Sequence, residues 1–178
     1  MTPTDAELVT RARGGDRRSY TALVERHRAS LERFALRLLG ERAEAEEALQ
    51  DTLVRAWTAL PQCNEPERVR GWLFRILVNR CRSRLARKDR LVRGADGDAA
   101  LAGAAAPAED DGWREELARA LAALPDEQRE AFLLKHVEAF SYEEMAELTG
   151  LSVPALKMRV SRACGALRLR LEEVYRGR

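Results

Sequence analysis

The spacing of the large apolar residues constrains the fold of this chain more than any other feature. In the stretch before Gly40, apolar residues and one histidine recur at intervals of three and four, which places them along one side of a helix. These residues are Tyr20, Leu23, Val24, His27, Leu31, Phe34 and Leu38. Ala, Leu, Arg and Glu are abundant and aromatic residues make up only 6% of the chain, which favours helices over strands. The sequence therefore predicts an all-α protein.

Four helices are predicted before residue 93. The first begins at Thr4, whose spacing to Glu7 is that of a capping box, and it ends at Gly14. The second begins at Asp16, a residue type preferred at helix N-termini, and carries the apolar stripe described above. Because each helix has to bury its stripe against a neighbour, we expect the four helices to form one compact bundle.

The third and fourth predicted helices flank the loop "PQCNEPER". The third covers about residues 43–60 and is stopped by Pro61. The fourth is predicted to follow a second capping box, made by Asn64 and Glu67. Arg80 falls on the apolar side of this fourth helix, which favours a buried or snorkelled ion pair for it.

The composition changes abruptly after residue 93. The segment "GADGDAALAGAAAPAEDDG", residues 94–112, has small and acidic residues but no large side chain that could anchor it in a core. Such a composition is typical of a flexible linker. Four further helices are predicted between Trp113 and the end, and about 65 residues suffice for a small domain. We therefore expect two small helical domains, at 1–93 and 113–178, joined by an acidic linker.

The last two predicted helices have the spacing of a helix-turn-helix. Ala146 lies in the first of them, Gly150 in the turn, and Leu156 packs back from the second. A small residue, a turn glycine and a buried apolar residue at this spacing allow two helices to cross closely at a steep angle. A generic corner between two helices is the alternative interpretation.

The final helix has two different faces. Its apolar residues, from Val153 to Leu171, fill one arc at 100° per residue, and Ser152 and Pro154 are suited to its first turn. The opposite arc and its flank form the candidate base-reading face. That face consists of Ala155, Lys157, Met158, Arg159, Ser161 and Arg162. A helix that enters a DNA groove needs this arrangement, because its first turns must reach the base edges.

Charge is unevenly distributed although the formal net charge is only +2. Residues 70–93 and 152–178 are predominantly basic, whereas residues 94–113 are acidic. Two basic segments suggest two surfaces for a polyanion, with solvated helix faces as the alternative. On the fourth helix Arg75, Asn79 and Arg82 share the outward face, and such side chains suit phosphates and unstacked bases.

Several classes of function have no support in the sequence. Cys63, Cys81 and Cys164 have neither metal-ligand nor disulfide-framework spacing, which fits a reduced cytoplasm. The polar N-terminus and the lack of a long apolar window predict neither a signal peptide nor a membrane span. No phosphate loop, nucleophile motif or acid–base pair is present, so we expect no enzyme and no cofactor.

Two groups of residues that could bind a metal have simpler interpretations. His27 lies within a core stripe and has no visible partner, so a packed histidine is expected rather than a ligand or base. Glu44, Glu47 and Asp51 lack a histidine at helical spacing, and a solvated helix face is expected rather than a metal site.

Taken in order, three stretches resemble a known family. They are "AEAEEALQDTLVRAWTALP", "VRGWLFRILVNRCRSRLARKDR" and, after the acidic linker, "LPDEQREAFLLKHVEAFSYEEMAELTGLSVPALKMRVSRACGALRLRL". The chain resembles an extracytoplasmic-function (ECF) sigma factor of bacterial RNA polymerase over nearly its whole length. The resemblance implies that the first domain is sigma region 2 and the second is sigma region 4, with promoter-specific initiation as the function.

The resemblance also implies roles for individual residues. Gln50, Asp51, Val54 and Arg55 match the surface that binds the clamp helices of the largest polymerase subunit. Asn64, Arg75, Asn79 and Arg82 are the candidates for reading the minus-ten element, where a base is flipped into a pocket. The second helix of region 4, with the six face residues given above, reads the minus-35 element in the major groove.

The partners implied are core RNA polymerase, through its clamp helices and flap, promoter DNA, and an anti-sigma factor. A cytoplasmic location in a bacterium and no membrane insertion are expected. The sequence departs from the family where Ala155 and Met158 replace two hydroxyl residues, Cys164 replaces an arginine, and Ser83 stands where an aspartate is common. The alternatives are a stand-alone helix-turn-helix transcriptional regulator and an interaction protein that mimics the bundle.

Overall fold

The computed structural model describes residues 2–94 and 112–176, and every regular element within them is helical. The main helices are α1 (Asp5–Arg13), α2 (Arg17–Leu39), α3 (Arg42–Ala59), α4 (Val69–Gly94), α5 (Gly112–Ala122), α6 (Asp126–Phe132), α7 (Tyr142–Thr149) and α8 (Val153–Arg176). The prediction of an all-α fold is confirmed. The predicted linker, apart from its two end residues, lies outside the described residues. We refer to residues 2–94 as the N-terminal half and to residues 112–176 as the C-terminal half.

The caps of α1 and α2 form as predicted. The Glu7 amide donates to Thr4 Oγ1 at 3.3 Å, and the Thr4 amide donates to Glu7 Oε2 at 2.8 Å, so both halves of the capping box are present. The Asp16 carboxylate accepts from the first amides of α2, and α2 ends at Gly40 with a φ of 73°. Only glycine adopts this left-handed conformation without strain.

The predicted capping box at the start of α4 is wrong. Residues Pro66–Arg68 form a short 3-10 turn without a side-chain cap, and α4 begins after it at Val69. The proline fixes φ at the first position of this tight turn, which directs the chain away from the geometry that a capping box needs. Asn64 is consequently exposed and available for other contacts.

Helices α1 to α4 bury their apolar stripes against one another, as predicted. Leu23, Leu31, Phe34, Leu73 and Leu77 are at most 1% exposed. Arg80 differs from its prediction, because within the described residues no carboxylate pairs with it and its buried Nε has no hydrogen-bond partner. The N-terminal half is therefore a four-helix bundle whose outer face carries most of its charge.

In the C-terminal half α6 and α5 pack against α8, and α7 joins α8 through a tight turn. Gly150, with a φ of 73°, ends α7, and its amide donates to the Ala146 carbonyl at 2.9 Å. Leu156 is fully buried. These positions are the ones predicted for a helix-turn-helix.

The two halves share one hydrophobic core, which the sequence did not predict. The ring of Phe74 on α4 packs edge-on against Phe34 at 5.4 Å and against Phe140 of the C-terminal half at 5.1 Å. The buried Arg129 donates to the Leu38 carbonyl at 2.6 Å, which joins the end of α2 to the α5–α6 turn. The C-terminal half thus lies directly on α2 and α4.

Candidate nucleic-acid interface

Helix α8 presents the predicted base-reading residues on one side. Lys157, Met158, Ser161 and Arg162 are exposed, and Ala155 and Arg159 are half-buried. The opposite side holds Leu156, Val160 and Ala163 in the core. An exposed methionine beside exposed cations is suited to a surface that meets both base edges and phosphates.

The start of α8 is well defined. The amide of Ala155 donates to Ser152 Oγ at 3.4 Å, and Pro154 occupies the first turn, where its missing amide hydrogen has no helical partner. On the preceding helix, Ser141 and Glu144 form a capping box that fixes the start of α7. The amide of Ser141 is the main reason that the pKa of Glu144 is lowered. Both helices of the turn therefore begin at fixed positions.

The two arginines on this face differ in their surroundings. Arg159 donates to Glu127 of α6 at 2.8 Å, and its side chain is 24% exposed. Arg162 is exposed, and the described part of the chain provides no carboxylate partner for it. Arg162 is therefore the freer cation for a nucleic acid.

One basic residue that the sequence analysis missed, Lys135, lies beside the predicted Lys157. The ammonium of Lys135 lies 4.7 Å from the ring centre of Tyr142, and that of Lys157 lies 5.6 Å from the same ring. Both ammonium groups lie over the same aromatic ring, whose face attracts cations, so both are held near one place. Periodicity alone could not bring Lys135 to this side, since it precedes the turn.

A cleft of about 430 Å³ lies beside the start of α4. Asn64 and Arg75 line it together with Trp72, so the structure brings two of the four predicted minus-ten residues together. An amide, a guanidinium and an indole ring are a combination that can hydrogen-bond and stack on an unstacked base. Phe140 and Glu147 of the C-terminal half line the other side of the cleft.

The other two predicted residues of α4 lie outside that cleft. Asn79 is exposed. Arg82 points toward the C-terminal half, where Nε and Nη2 donate to the two carboxylate oxygens of Glu130 at 2.8 and 2.7 Å. Arg82 also donates to the Thr149 carbonyl at 3.2 Å. In this arrangement the guanidinium of Arg82 is held by the Glu130 carboxylate.

Helix α3 presents Gln50, Asp51, Val54 and Arg55 to solvent, as predicted. Val54 is 67% exposed, and among the large apolar side chains that the structure describes only Leu91 is equally exposed. Ala48, Thr52 and Ala56 on the opposite side are buried, so the orientation of α3 is fixed. An exposed apolar residue surrounded by charged ones is suited to a protein partner.

Glu47 and Asp51 of α3 are exposed, as expected for a solvated face, but together with Glu44 they bind an arginine that the sequence did not predict. The guanidinium of Arg84, only 14% exposed, donates to Glu44 at 2.7 Å, Glu47 at 2.8 Å and Asp51 at 3.0 Å. The hydrogen bond from Arg84 is the main reason that the pKa of Glu44 is lowered. Arg84 thus holds α3 against α4 through charge-assisted hydrogen bonds to three carboxylates.

The histidines and cysteines are mostly buried or in contact with other side chains. His27 is buried and has a partner that the sequence did not reveal, since its Nε2 lies 2.9 Å from Asp5 Oδ2. Burial raises the pKa of the Cys81 thiol to about 12 and also raises that of Cys63. Cys164 lies 3.6 Å from His136 Nε2.

The described residues provide neither a metal-binding cluster nor a membrane-spanning helix. They contain no cluster of three or more histidine, cysteine, aspartate or glutamate side chains that could hold a metal ion. Within the same residues, none of the helices combines the length and the apolar character that spanning a membrane requires.

Two family models match the chain. Residues 23–91 match sigma-70 region 2, and residues 114–167 match sigma-70 region 4. The first match contains α3, most of α4 and the side of the cleft that the N-terminal half provides. The second contains the helix-turn-helix with all six predicted face residues.

Known proteins match the chain over most of its length. RNA polymerase sigma factor CnrH of Cupriavidus metallidurans is 35% identical, over 92% of this chain and 93% of its own. ECF RNA polymerase sigma factor EcfG of Rhodopseudomonas palustris is 37% identical over 75% of each chain.

Two solved structures also resemble the fold. Sigma factor RpoE of Bartonella quintana, in complex with the anti-sigma factor NepR, has a TM-score of 0.77 and 31% identity, over 86% of this chain and 96% of its own. CnrH in complex with the cytosolic domain of CnrY has a TM-score of 0.70 and 31% identity, over 95% and 97%.

Proposed function

The chain belongs to the ECF sigma factors of the sigma-70 family, and we propose which of its surfaces perform each step of that function. As a sigma factor it joins core RNA polymerase and directs transcription initiation at specific promoters. We propose that region 2 occupies residues 1–93, a linker residues 94–112, and region 4 residues 113–178. The matched segments 23–91 and 114–167 lie inside these bounds and support them.

We propose that α8 reads the minus-35 element in the major groove. The observation that carries this proposal is the exposure of Lys157, Met158 and Arg162 on one side of a helix that follows a helix-turn-helix glycine. Arg162 is suited to a base edge, since an arginine can donate two parallel hydrogen bonds to a guanine. Lys157 is suited to a phosphate, because an ammonium acts as a point charge without a preferred base. Met158 can contact a thymine methyl group.

The cleft at the start of α4 is the proposed minus-ten reader. Asn64 and Arg75 supply hydrogen bonds, and Trp72 supplies a ring for stacking. A flipped base loses its neighbours in the stack at a cost of about a few kcal/mol, which these contacts have to offset. Asn79 and Arg82 further along α4 are proposed to contact the flanking phosphates. DNA melting is then driven by binding, and we infer neither an enzymatic activity nor a cofactor.

The proposed polymerase-binding surface is the exposed face of α3. Val54 provides an apolar anchor, and Gln50 and Arg55 provide polar contacts around it. Asp51 is already paired with Arg84, so we propose that it contributes mainly by orienting the surface. The flap of the polymerase is the proposed partner of region 4.

An anti-sigma factor is the proposed regulatory partner. RpoE of Bartonella quintana was solved with the anti-sigma factor NepR, and CnrH was solved with the cytosolic domain of CnrY. These two matches include 86% and 95% of this chain, which supports a similar mode of regulation. A cytoplasmic location, beside the polymerase, follows from the proposed function.

In vitro transcription tests this function. Purified chain and core polymerase are incubated with fragments of the source genome, and run-off transcripts are mapped. We expect initiation at a subset of fragments that share two elements, and none with core polymerase alone. A complete lack of directed initiation, with sigma bound to core polymerase, would contradict the proposal.

A stand-alone helix-turn-helix regulator is the other candidate function. It would bind duplex DNA without polymerase and would not need the α3 surface. The match of region 2 over residues 23–91 supports the sigma factor instead.

A further inference from the structure

Helix α1 lies outside the segment that matches sigma-70 region 2, which begins at residue 23. It nevertheless packs against both short 3-10 turns of the loop that precedes α4, Leu60–Gln62 and Pro66–Arg68. We call residues 60–68 the reader loop, because Asn64 of the proposed minus-ten reader lies between the two turns. Helix α1 is therefore in direct contact with the segment that carries Asn64.

The first turn of α1 is fixed on α2. The Asp5 carboxylate pairs with Arg26, and its Oδ2 lies 2.9 Å from His27 Nε2. The Arg26 guanidinium also donates to the Pro3 carbonyl at 2.8 Å. Helix α1 packs its buried side against α2 as well. Its position is consequently set by α2 and does not depend on the reader loop.

The last residue of α1 is hydrogen-bonded to the start of the reader loop. Arg13 Nε donates to the Leu60 carbonyl at 3.3 Å. The same carbonyl accepts the Cys63 amide at 3.1 Å, which closes the first 3-10 turn. A backbone carbonyl has two lone pairs, so it can accept both hydrogen bonds together. It also lies just after the end of α3, where the helix dipole favours a cation. Arg13 therefore stabilises the turn at which α3 ends and the reader loop begins.

Cys63 anchors the middle of the reader loop. Its side chain is buried, whereas those of its neighbours Gln62 and Asn64 are exposed. Because Cys63 points inward, the next residue, Asn64, is directed into the lining of the cleft. In the part of the chain that the structure describes, the Asn64 side chain has no hydrogen bond of its own. Its direction therefore depends on Cys63 and on the turn that the Leu60 carbonyl closes.

We propose that Arg13 is a positioning residue for minus-ten recognition, which acts through the Leu60 carbonyl and the Cys63 turn on the direction of Asn64. The proposal rests on the proposed function of the cleft. A side-chain amide discriminates between bases only when it is held in the correct direction, because misplacement weakens the hydrogen bonds to the preferred base. Loss of the Arg13 hydrogen bond should therefore reduce base discrimination more than overall binding.

Two substitutions separate the hydrogen bond of Arg13 from its charge. In R13Q the amide nitrogen takes the position of Nε, at the same number of bonds from the backbone, so a donor is kept. In R13M a methyl group takes that position, so the donor is lost at similar length. Both variants lack the positive charge. R11M removes an exposed charge from the same helix and is the control.

The first measurement is the reactivity of the Cys63 thiol toward iodoacetamide in the full-length chain, quantified by mass spectrometry of the peptide that contains it. Burial hides this thiol and raises its pKa, so reaction requires local opening of the reader loop. We expect R13M to react about tenfold faster than R13Q, and R13Q and R11M to stay close to the wild type. Equal rates for R13M and R13Q would overturn the proposal.

The second measurement is base discrimination by the holoenzyme. Fork-junction DNAs carry a promoter identified by in vitro transcription, with each of the four bases at each position of a single-stranded minus-ten element. At the position that Asn64→Ala affects, we expect R13M to reduce the affinity ratio between the preferred base and the others about fivefold. R13Q should keep that ratio.

A further variant distinguishes positioning from a general loss of stability. Leu31 is buried on α2, beyond the residues that bind Asp5, and L31V removes one methylene there. It should lower the midpoint of thermal unfolding and leave base discrimination unchanged. If R13M and R13Q instead lose affinity equally for every base, with a smaller salt dependence, Arg13 contacts phosphates and the positioning role is wrong.

Failure of this proposal is distinguishable from failure of the proposed function. If Asn64→Ala reduces base discrimination and R13M does not, Arg13 does not position the reader, while the minus-ten function of the cleft stands. If neither variant changes discrimination although Cys63 reacts faster in R13M, the reader loop does not read bases. The proposed function of the cleft is then wrong, and with it the role of Arg13 in recognition.

Discussion

Arg159 of α8 and Glu127 of α6 form an ion pair of 2.8 Å that connects the proposed recognition helix to the helix packed beneath it. The pair gives Arg159 a fixed direction, and it also means that a base must compete with a carboxylate for this guanidinium. Arg162, one turn further along, has no such competitor among the residues described.

The difference in carboxylate partners predicts that Arg162 contributes more to promoter binding than Arg159 does. Arg162→Ala should weaken binding of the holoenzyme to its preferred minus-35 element by about 1–3 kcal/mol and relax the preference at one base position. Arg159→Ala should weaken binding by less, because Arg159 has to give up its ion pair with Glu127 before it can contact a base. Affinities are measured on a set of minus-35 elements with single base changes.

Lys157→Ala is the control for this comparison. A phosphate contact carries no base information, so its loss should lower affinity about equally for every sequence and reduce the salt dependence. If Arg162→Ala gives that same uniform loss, Arg162 does not read a base.

Val54→Asp should weaken association with core polymerase while leaving the fold intact. Val54 is 67% exposed, so an aspartate meets no steric conflict in the free chain, but it would bury a charge against the partner. We expect a loss of about tenfold in affinity, or about 1.4 kcal/mol. Ala43→Asp, at an exposed position in the first turn of α3 and far from Val54, is the matched control and should change the affinity much less.

Tyr20 should make stability fall at alkaline pH. Burial raises its pKa from the usual 10.0 to about 12, and its hydroxyl donates to the Leu53 carbonyl at 2.5 Å. The pKa of Tyr20 is higher in the folded chain than in the unfolded chain. The contribution of the protonated hydroxyl to the free energy of unfolding is therefore complete below pH 10 and is lost as the pH rises toward 12. The ring is partly exposed, so we expect a loss of about 1 kcal/mol rather than the full linkage value.

Denaturation at about pH 9 and about pH 11.5 measures this effect, with Tyr20→Phe as the comparison. The phenylalanine variant loses a hydrogen bond worth about 1 kcal/mol at both pH values but cannot ionise. Its stability should therefore decline less between the two conditions than that of the wild type. Parallel declines would show that another group is responsible.

Two glycines should respond to alanine in opposite directions. Gly150 has a φ of 73° with open space around it, so Gly150→Ala should destabilise by about 1 kcal/mol through backbone strain alone. Gly165 lies within α8, also with open space around it, and Gly165→Ala should stabilise by about 0.5–1 kcal/mol because the unfolded chain loses freedom. Urea denaturation measures both, and a stabilising Gly150→Ala would contradict the left-handed turn.

The features predicted correctly from the sequence depend on residues close together in the chain. The capping box of Thr4 and Glu7, the stripe of α2 and the turn at Gly150 each follow from spacings of ten residues or fewer. Asn64 and Glu67 have the same spacing as Thr4 and Glu7, yet Pro66 between them imposes a different turn. Local patterns thus fail where a residue with a fixed backbone angle intervenes.

The long-range ion pairs could not be predicted from the sequence. Arg84 forms ion pairs with carboxylates of α3, and Arg82 forms an ion pair with Glu130 of the C-terminal half. Both arginines lie in the same basic segment of α4. The helical periodicity of α4 predicts which side of the helix each arginine is on, but not which residues of other helices it contacts. Which helix lies opposite depends on packing angles, which single-helix periodicity does not contain.

Arg129 places its positive charge where the partial negative charges of two helix dipoles converge. Its guanidinium meets carbonyls at the C-terminal ends of α2 and α5, with Asp126 as its one carboxylate partner in the described residues. Four of its five hydrogen bonds, all but the one to Leu38, stay within the C-terminal half. The buried guanidinium therefore caps the C-terminal ends of both helices. If α2 moved away, Arg129 would lose only the hydrogen bond to Leu38 and would keep its four partners in the C-terminal half.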